Sequence, residues 1–204
     1  MFQTSQAIQP AEGNGQDRLV VLRTETKVII AIADGAGGRS GGAEAADLAA
    51  KLIGERAKIL STQADCERIL TELDGIVASN SAAGETTTVV AIISSAGIVG
   101  ASVGDSGAWL VNGTGIDDLT MNQVRKPFIG TRAAIPIGFA RARVDGTLLV
   151  ATDGLLKYTS REKIAAVIQQ SAFDTAPSAL VSLVRYHSGA LPDDVTCALC
   201  RLGK

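Results

Sequence analysis

The order in which strand-like and helix-like segments follow one another limits this chain more than any single motif does. Two apolar segments, 19–22 and the nearly continuous 28–33, flank the polar turn Arg23-Thr24-Glu25-Thr26-Lys27 and predict an antiparallel hairpin. Two helices follow. The first spans 43–60, with Leu48, Leu52, Ile53 and Ile59 near helical spacing, and the second spans 65–78, with Ile69, Leu73, Ile76 and Val77 on its buried side. The middle of the chain reads as strands at 87–94, 98–103 and 108–111, the last ending at the hairpin dipeptide Asn112-Gly113. Residues 117–145 are irregular, carry Pro127, Pro136 and several basic residues, and read as a surface excursion. After a strand at 147–151, Thr159-Ser160-Arg161-Glu162 matches a capping box that opens a helix to about Gln170. Thr175 and Pro177 start a further helix ending at Gly189, and 195–202 is the last strand. Hairpin-linked strands with helices grouped in pairs exclude a doubly wound parallel sheet. The expected fold is α+β: a four-layer αββα sandwich, two antiparallel β-sheets flanked by pairs of helices.

Composition narrows the class. A chain of 204 residues with 46% hydrophobic residues can bury one core, so 1–204 reads as a single domain. With 3% aromatics and 22 glycines, that core is small and aliphatic and the turns are tight. A net charge of −2 leaves no broad basic face for nucleic acid. No apolar run is long enough to span a bilayer, and residues 1–6 lack the basic and apolar parts of a signal peptide, so a cytoplasmic location is expected. Cys197 and Cys200 form a CxxC inside the last strand. A spacing of three sends them to opposite faces, and with one further cysteine, Cys66, and one histidine, His187, buried free thiols fit better than zinc.

Five aspartates fall at strand ends. Asp17 precedes the first hairpin strand, Asp34 follows the second, Asp105 follows 98–103, Asp153 follows 147–151, and Asp194 precedes the last strand. Each alone reads as a turn residue. In an antiparallel sandwich, however, the start of one strand and the end of its neighbour share an edge, so the five can gather at one rim. Carboxylates so gathered repel one another, and divalent cations relieve the repulsion. Oxygen-only ligands favour Mg2+ and Mn2+. Gly35, Gly104 and Gly154 beside them allow close backbone approach.

Other chemistries fit less well. From Gly35 the glycine-rich stretch runs G-x-G-x-x-S, with Asp34 placed where it would repel a pyrophosphate, and no G-K-[S/T] is present. His187 lies in the amphipathic helical pattern, so no serine nucleophile has a base.

The motifs together resemble one family. Ala31-Ile32-Ala33-Asp34-Gly35-Ala36-Gly37-Gly38 is similar to the hallmark of the metal-dependent, type 2C protein phosphatases. Asn14-Gly15-Gln16-Asp17, Gly84-Glu85-Thr86-Thr87-Thr88, Val103-Gly104-Asp105-Ser106, Ala151-Thr152-Asp153-Gly154-Leu155 and Pro192-Asp193-Asp194-Val195-Thr196 resemble further motifs, in family order. The likeness is nearest to compact bacterial members. It implies a protein serine/threonine phosphatase using two Mg2+ or Mn2+ ions, with a third as in bacterial relatives. By the resemblance Asp34 bridges both metals with the Gly35 carbonyl as a further ligand. Asp153 and Asp194 complete the first metal's shell, Asp17 acts through water, and Asp105 with Asp153 holds the third. A metal-bridging water attacks phosphorus, and residues 117–145 form a flap that influences substrate choice. The implied partner is a phosphorylated protein, a target of a serine/threonine kinase or the kinase itself, with no nucleic acid and no membrane.

Two departures stand out. Glu12 and Gly107 occupy places where family members commonly carry arginines, which leaves Arg18, Arg39 or another basic residue to grip phosphate. They also motivate a second reading, a phosphatase-fold module that binds a phosphoprotein or kinase with little or no turnover.

Overall fold

A computed structural model describes residues 1–36 and 41–203, which form ten strands and five helices. In chain order these are β1 (Phe2–Gln9), β2 (Arg18–Arg23), β3 (Lys27–Gly35), α1 (Gly42–Arg56), α2 (Gln63–Ser79), β4 (Thr86–Ser94), β5 (Gly97–Val103) and β6 (Gly107–Asn112). There follow β7 (Gly115–Asp118), β8 (Ile137–Arg141), β9 (Thr147–Ala151), α3 (Asp153–Leu156), α4 (Arg161–Gln170), α5 (Ala176–Ser182) and β10 (Val195–Leu202). Two antiparallel five-stranded sheets result, in the orders β1-β10-β9-β6-β7 and β2-β3-β4-β5-β8.

The strands are nearly continuously apolar because both faces of each sheet are covered. Along β3, Val28, Ile30 and Ile32 face the other sheet and meet Leu110, Leu148 and Val150. The alternate residues Ile29, Ala31 and Ala33 face α1 and α2, against Ala46, Ala49, Ile53 and Leu70. On the far side, Leu149, Val195 and Leu199 pack with Ile164 of α4 and Leu180 of α5. Helix, sheet, sheet and helix therefore stack as the element order predicts. The CxxC divides as the strand period requires: Cys197 lies in the outer core and Cys200 between the sheets, both as buried free thiols.

Several elements differ from the sequence-based expectation. β1 was not anticipated. Its polar residues lie along the sheet edge beside β10, in register from Phe2↔Leu202 to Gln9↔Val195, and are half-buried or exposed. The cap of α4 is Ser160, which accepts from the Lys163 amide at 3.4 Å, so the Thr159 box is out by one residue. The complete capping box belongs to α2, between Thr62 and Asp65. α5 ends at Ser182, well short of Gly189, and His187 lies in an exposed turn instead of on a helix.

The excursion at 117–145 is also more ordered than its sequence suggests. It contains the end of β7 and all of β8, which pairs with β5. Its middle is fastened to α2 by one buried carboxylate. Asp74 Oδ1 accepts from the amides of Gly130 (2.7 Å), Thr131 (3.0 Å) and Arg132 (3.0 Å), and Oδ2 from Ala134 (3.1 Å). A bridge between Thr86 and Ile129 ties the same segment to β4.

Candidate active site

Strand register brings the predicted acids to one edge. β2 pairs with β3 as Arg18↔Ala33, so Asp17 and Asp34 end neighbouring strands side by side. β9 pairs with β10 as Cys197↔Ala151, which sets Asp153 and Asp194 beyond the end of that pair. Asp34 pairs with Thr87, and Asp105 follows β5 two residues past Val103, the partner of Thr88.

Parity then turns the side chains inward. Asp34 continues the row Val28, Ile30, Ile32, and Thr152 continues the row Leu148, Val150, so both project between the sheets. The inter-sheet core thus ends in a polar layer. The Thr152 hydroxyl donates to Asp17 Oδ2 at 3.0 Å and accepts from the Thr196 amide at 3.1 Å. The buried Asp17 Oδ1 has no hydrogen-bond partner, and neither does the side-chain carbonyl of Gln16. The Thr196 hydroxyl stands nearby without meeting hydrogen-bond geometry.

Burial and mutual repulsion hold these acids far above the ordinary carboxylate range. Asp34 is raised to about 10, first by burial and then by Asp17, Asp153, Asp193 and Asp105. Asp17 is raised to about 7 by burial, against the lowering effect of its threonine neighbours. Asp153 is raised by burial, Asp105 and Asp193, and is partly relieved by Lys157 and by a hydrogen bond with Asp34. Acids packed in this way retain protons that isolated carboxylates release. A divalent cation is the other means of relieving the same repulsion. An all-oxygen donor set and an unpartnered buried carboxylate oxygen fit Mg2+ or Mn2+. Among the described residues, no three acid side chains are already drawn into ion-binding geometry.

The neighbouring aspartates 193 and 194 play different parts. Asp194 accepts from the Ala11 amide at 2.7 Å and from the Gln16 amide at 2.5 Å, so both its oxygens brace the loop before β2. The charge of Asp193 acts on Asp34 and Asp153, while Asp17 feels both members of the pair, Asp194 ahead of Asp193. The sequence reading singled out Asp194 and passed over Asp193. Gly154 closes the contact from the other side, since a Cβ there would stand 1.9 Å from the Asp194 carbonyl oxygen. Gly35 is equally confined, its Cβ position lying 2.5 Å from the Gly42 backbone.

Two cavities flank the acids. One, of about 430 Å³, is lined by Glu12, Asp34, Gly35, Asp193 and Asp194. The other, of about 360 Å³, is lined by Asp105 and Asp153 together with Trp109, Arg125, Lys157 and Arg161. The arginine question divides accordingly. Glu12 is exposed on the acidic cavity. Arg18 is engaged by Asp47 at 2.5 and 3.1 Å and by the carbonyls of Asp17 and Gly15. Arg39 lies outside the described residues, as do Gly37 and Gly38. At Gly107 a Cβ would meet the tip of the Leu156 side chain, Cδ1, at 2.8 Å, so any side chain there requires Leu156 to shift. The cysteines are poor nucleophiles: burial pushes all three thiols up to about 12.

Comparison with known proteins identifies this arrangement. Stp1, a serine/threonine phosphatase from Staphylococcus aureus, superposes with a TM-score of 0.83 at 18% identity, covering 100% of this chain and 96% of that one. The S. agalactiae serine/threonine phosphatase gives 0.83 at 21% identity, with 100% of both chains covered. The catalytic domain of the serine/threonine protein phosphatase PstP, solved with two manganese ions, gives 0.78 at 16% identity, covering 100% and 99%. At these identities the likeness is one of fold. No curated protein sequence matches significantly. Residues 11–183 match the family described as protein phosphatase 2C, and the chain belongs to that family. Family and fold together make it a metal-dependent serine/threonine phosphoprotein phosphatase.

Proposed function

We propose that the chain acts as one catalytic unit over 1–204 and hydrolyses phosphoserine and phosphothreonine at the acid rim, with residues 117–145 as a flap beside it. The observation that carries this reading is the convergence of Asp17, Asp34, Asp105, Asp153 and Asp193 at one end of the inter-sheet core, where the other four raise the affinity of Asp34 for a positive charge. Asp34, Asp153 and Asp193 would hold two divalent cations with the Gly35 carbonyl, and Asp105 with Asp153 a third. Asp17 would act through water from beneath. Asp194 takes a positioning part, fixing the loop that carries Gln16 and Asp17. Bound cations supply charge neutralisation, polarisation of the phosphoryl oxygens and acidification of water. The chain's own contribution is to fix the carboxylates: Thr152 orients Asp17, and the Thr86 hydroxyl holds the Asp34 carbonyl at 2.8 Å. The expected substrate is a phosphoprotein of the cytoplasm that a serine/threonine kinase modifies, or the kinase itself. Among the described residues, no helix is long and apolar enough to cross a membrane.

A second reading, a module that binds phosphoprotein with little turnover, is favoured by Glu12 on the acidic cavity and by the engagement of Arg18 with Asp47. One assay separates the two. Hydrolysis of an aryl phosphate and a phosphothreonine peptide is measured with Mn2+, with Mg2+ and with chelator, beside Asp34→Asn. Turnover that needs metal and falls at least about 100-fold in the variant is the expected result. Peptide binding without product at saturating Mn2+ would establish the second reading instead.

A further inference from the structure

The cavity beside Asp105 and Asp153 differs from its acidic neighbour in carrying cations. Arg161 is already engaged, paired with Asp118 at 2.5 Å and lying 4.6 Å from the Trp109 ring centroid. Lys157 stands 3.8 Å from the Asp153 carboxylate with its side chain 61% exposed, a contact that water screens heavily. Arg125 follows a segment fastened to the rim: the Val124 carbonyl accepts from the Gly104 amide at 3.2 Å, and the Gln123 side chain donates to the Ser106 carbonyl at 2.9 Å. The surrounding excursion, 117–145, is net positive in a chain whose net charge is −2. Arg125, Lys126, Arg132, Arg141 and Arg143 outnumber Asp117, Asp118 and Asp145, with Arg141 paired to Asp117 at 3.4 Å and to Asp145 at 3.6 Å. Of the acids lining the cavity, Asp118 is taken by Arg161, and Asp105 and Asp153 belong to the rim.

We propose that this cavity receives the residues flanking the phosphorylated serine or threonine, and that Arg125 and Lys157 select phosphoproteins whose flanks are acidic. The inference rests on the phosphatase reading above. Asp153 belongs to both the acid cluster and the cavity wall, so a peptide with its phosphate at the cluster lays its neighbouring residues in the cavity. In extended chain each residue advances about 3.3 Å, which brings a carboxylate one or two positions away within reach of these cations. Trp109 is the chain's only tryptophan and lines the same cavity, so its fluorescence reports occupancy whether or not turnover follows.

The test uses three phosphothreonine peptides with acidic, neutral or basic flanks, compared by kcat/KM with Mn2+ and by Trp109 fluorescence titration. An aryl phosphate serves as a substrate without flanks. The acidic peptide should exceed the basic one by about tenfold or more, mainly through KM, as two partly screened ion pairs allow. Added salt should shrink the difference. Arg125→Glu should invert the order, and Lys157→Ala should reduce the preference if Arg125→Glu does not fold. Equal kcat/KM and equal fluorescence response for the three peptides would overturn the proposal, as would an unchanged order in both variants. Failure to hydrolyse even the aryl phosphate would count against the phosphatase reading, while the fluorescence titrations would still decide whether acidic flanks are preferred.

Discussion

The two cavities beside the acid rim are lined by different residues and differ in charge. The one holding Asp34, Asp193 and Glu12 has, among the described residues, no lysine or arginine in its lining. Its shape is set by backbone, through the two amides that Asp194 accepts and the close approach of Gly154 to the Asp194 carbonyl. The cavity beyond Asp153 is built from side chains of α3, α4 and the excursion, three of them cationic. On the reading proposed above, the difference places charge neutralisation and substrate recognition on different walls. With the described residues alone, the acidic side holds a phosphate through cations it binds, whereas the other side can attract an anionic chain by itself.

The division is most sharply tested at the adjacent aspartates. Asp193→Asn removes a charge that acts on Asp34 and Asp153 and should lower turnover by about 100-fold with little loss of stability. Asp194→Ala should do the reverse. It strands the Ala11 and Gln16 amides, costs about 2 kcal/mol and lowers Tm by about 5 °C, with Asp194→Asn recovering part of the loss. Turnover and thermal melts of the three variants check this, and equal loss of turnover in Asp193→Asn and Asp194→Asn would erase the distinction.

That distinction shows how far the sequence could be read. The sandwich was legible because β3, β4 and β9 alternate between two covered faces, and the acids because each ends or precedes such a strand. β1 and β8 escaped notice because edge strands need little apolar surface: Thr4 and Ser5 half-bury and Gln6 is exposed at one edge, and Gly138 interrupts the other. Asp193 escaped for a different reason. Two neighbouring aspartates are alike in sequence, and only the return of Gln16, 178 residues away, decides which of them is used as a brace. Asp74 was invisible for the same reason, since the four amides it collects lie 56 to 60 residues further on.

Removing cations should separate the two sides further. Asp17 and Asp34 have folded-state pKa values raised to about 7 and about 10, so the folded state favours their protonated forms. The folded state then binds more protons than the unfolded one above pH ~4, and stability falls as pH rises. The loss from Asp17 is complete near its folded pKa, and that from Asp34 continues towards 10. Chelated protein should therefore melt at progressively lower temperature from pH 5 to pH 9. Mn2+ at about 100 times its Kd should restore about 2.7 kcal/mol, or roughly 5–10 °C, most visibly at the alkaline end. Asp34→Asn should melt higher than wild type in chelator and respond less to Mn2+. Melts at three pH values settle the sign, and a chelated Tm that holds steady from pH 5 to pH 9 would contradict the crowding of the acids.

The smallest expected effect comes from giving the acidic cavity the cation it lacks. Glu12 is exposed on that cavity, so Glu12→Arg exchanges a repulsive charge for an attractive one without entering a packed region. The gain in kcat/KM for an aryl phosphate should be about fivefold, the scale of one partly screened charge pair, and should fade as salt rises. Gly107→Arg is the informative contrast, because its Cβ already meets Leu156 at 2.8 Å and Thr120 Oγ1 at 3.3 Å. That side chain must displace the floor of the cation-lined cavity, so it should lower Tm and bring no gain in turnover. If Gly107→Arg instead raised turnover as much as Glu12→Arg, phosphate would be reached from the cation-lined side as well, and the two walls would not divide the work.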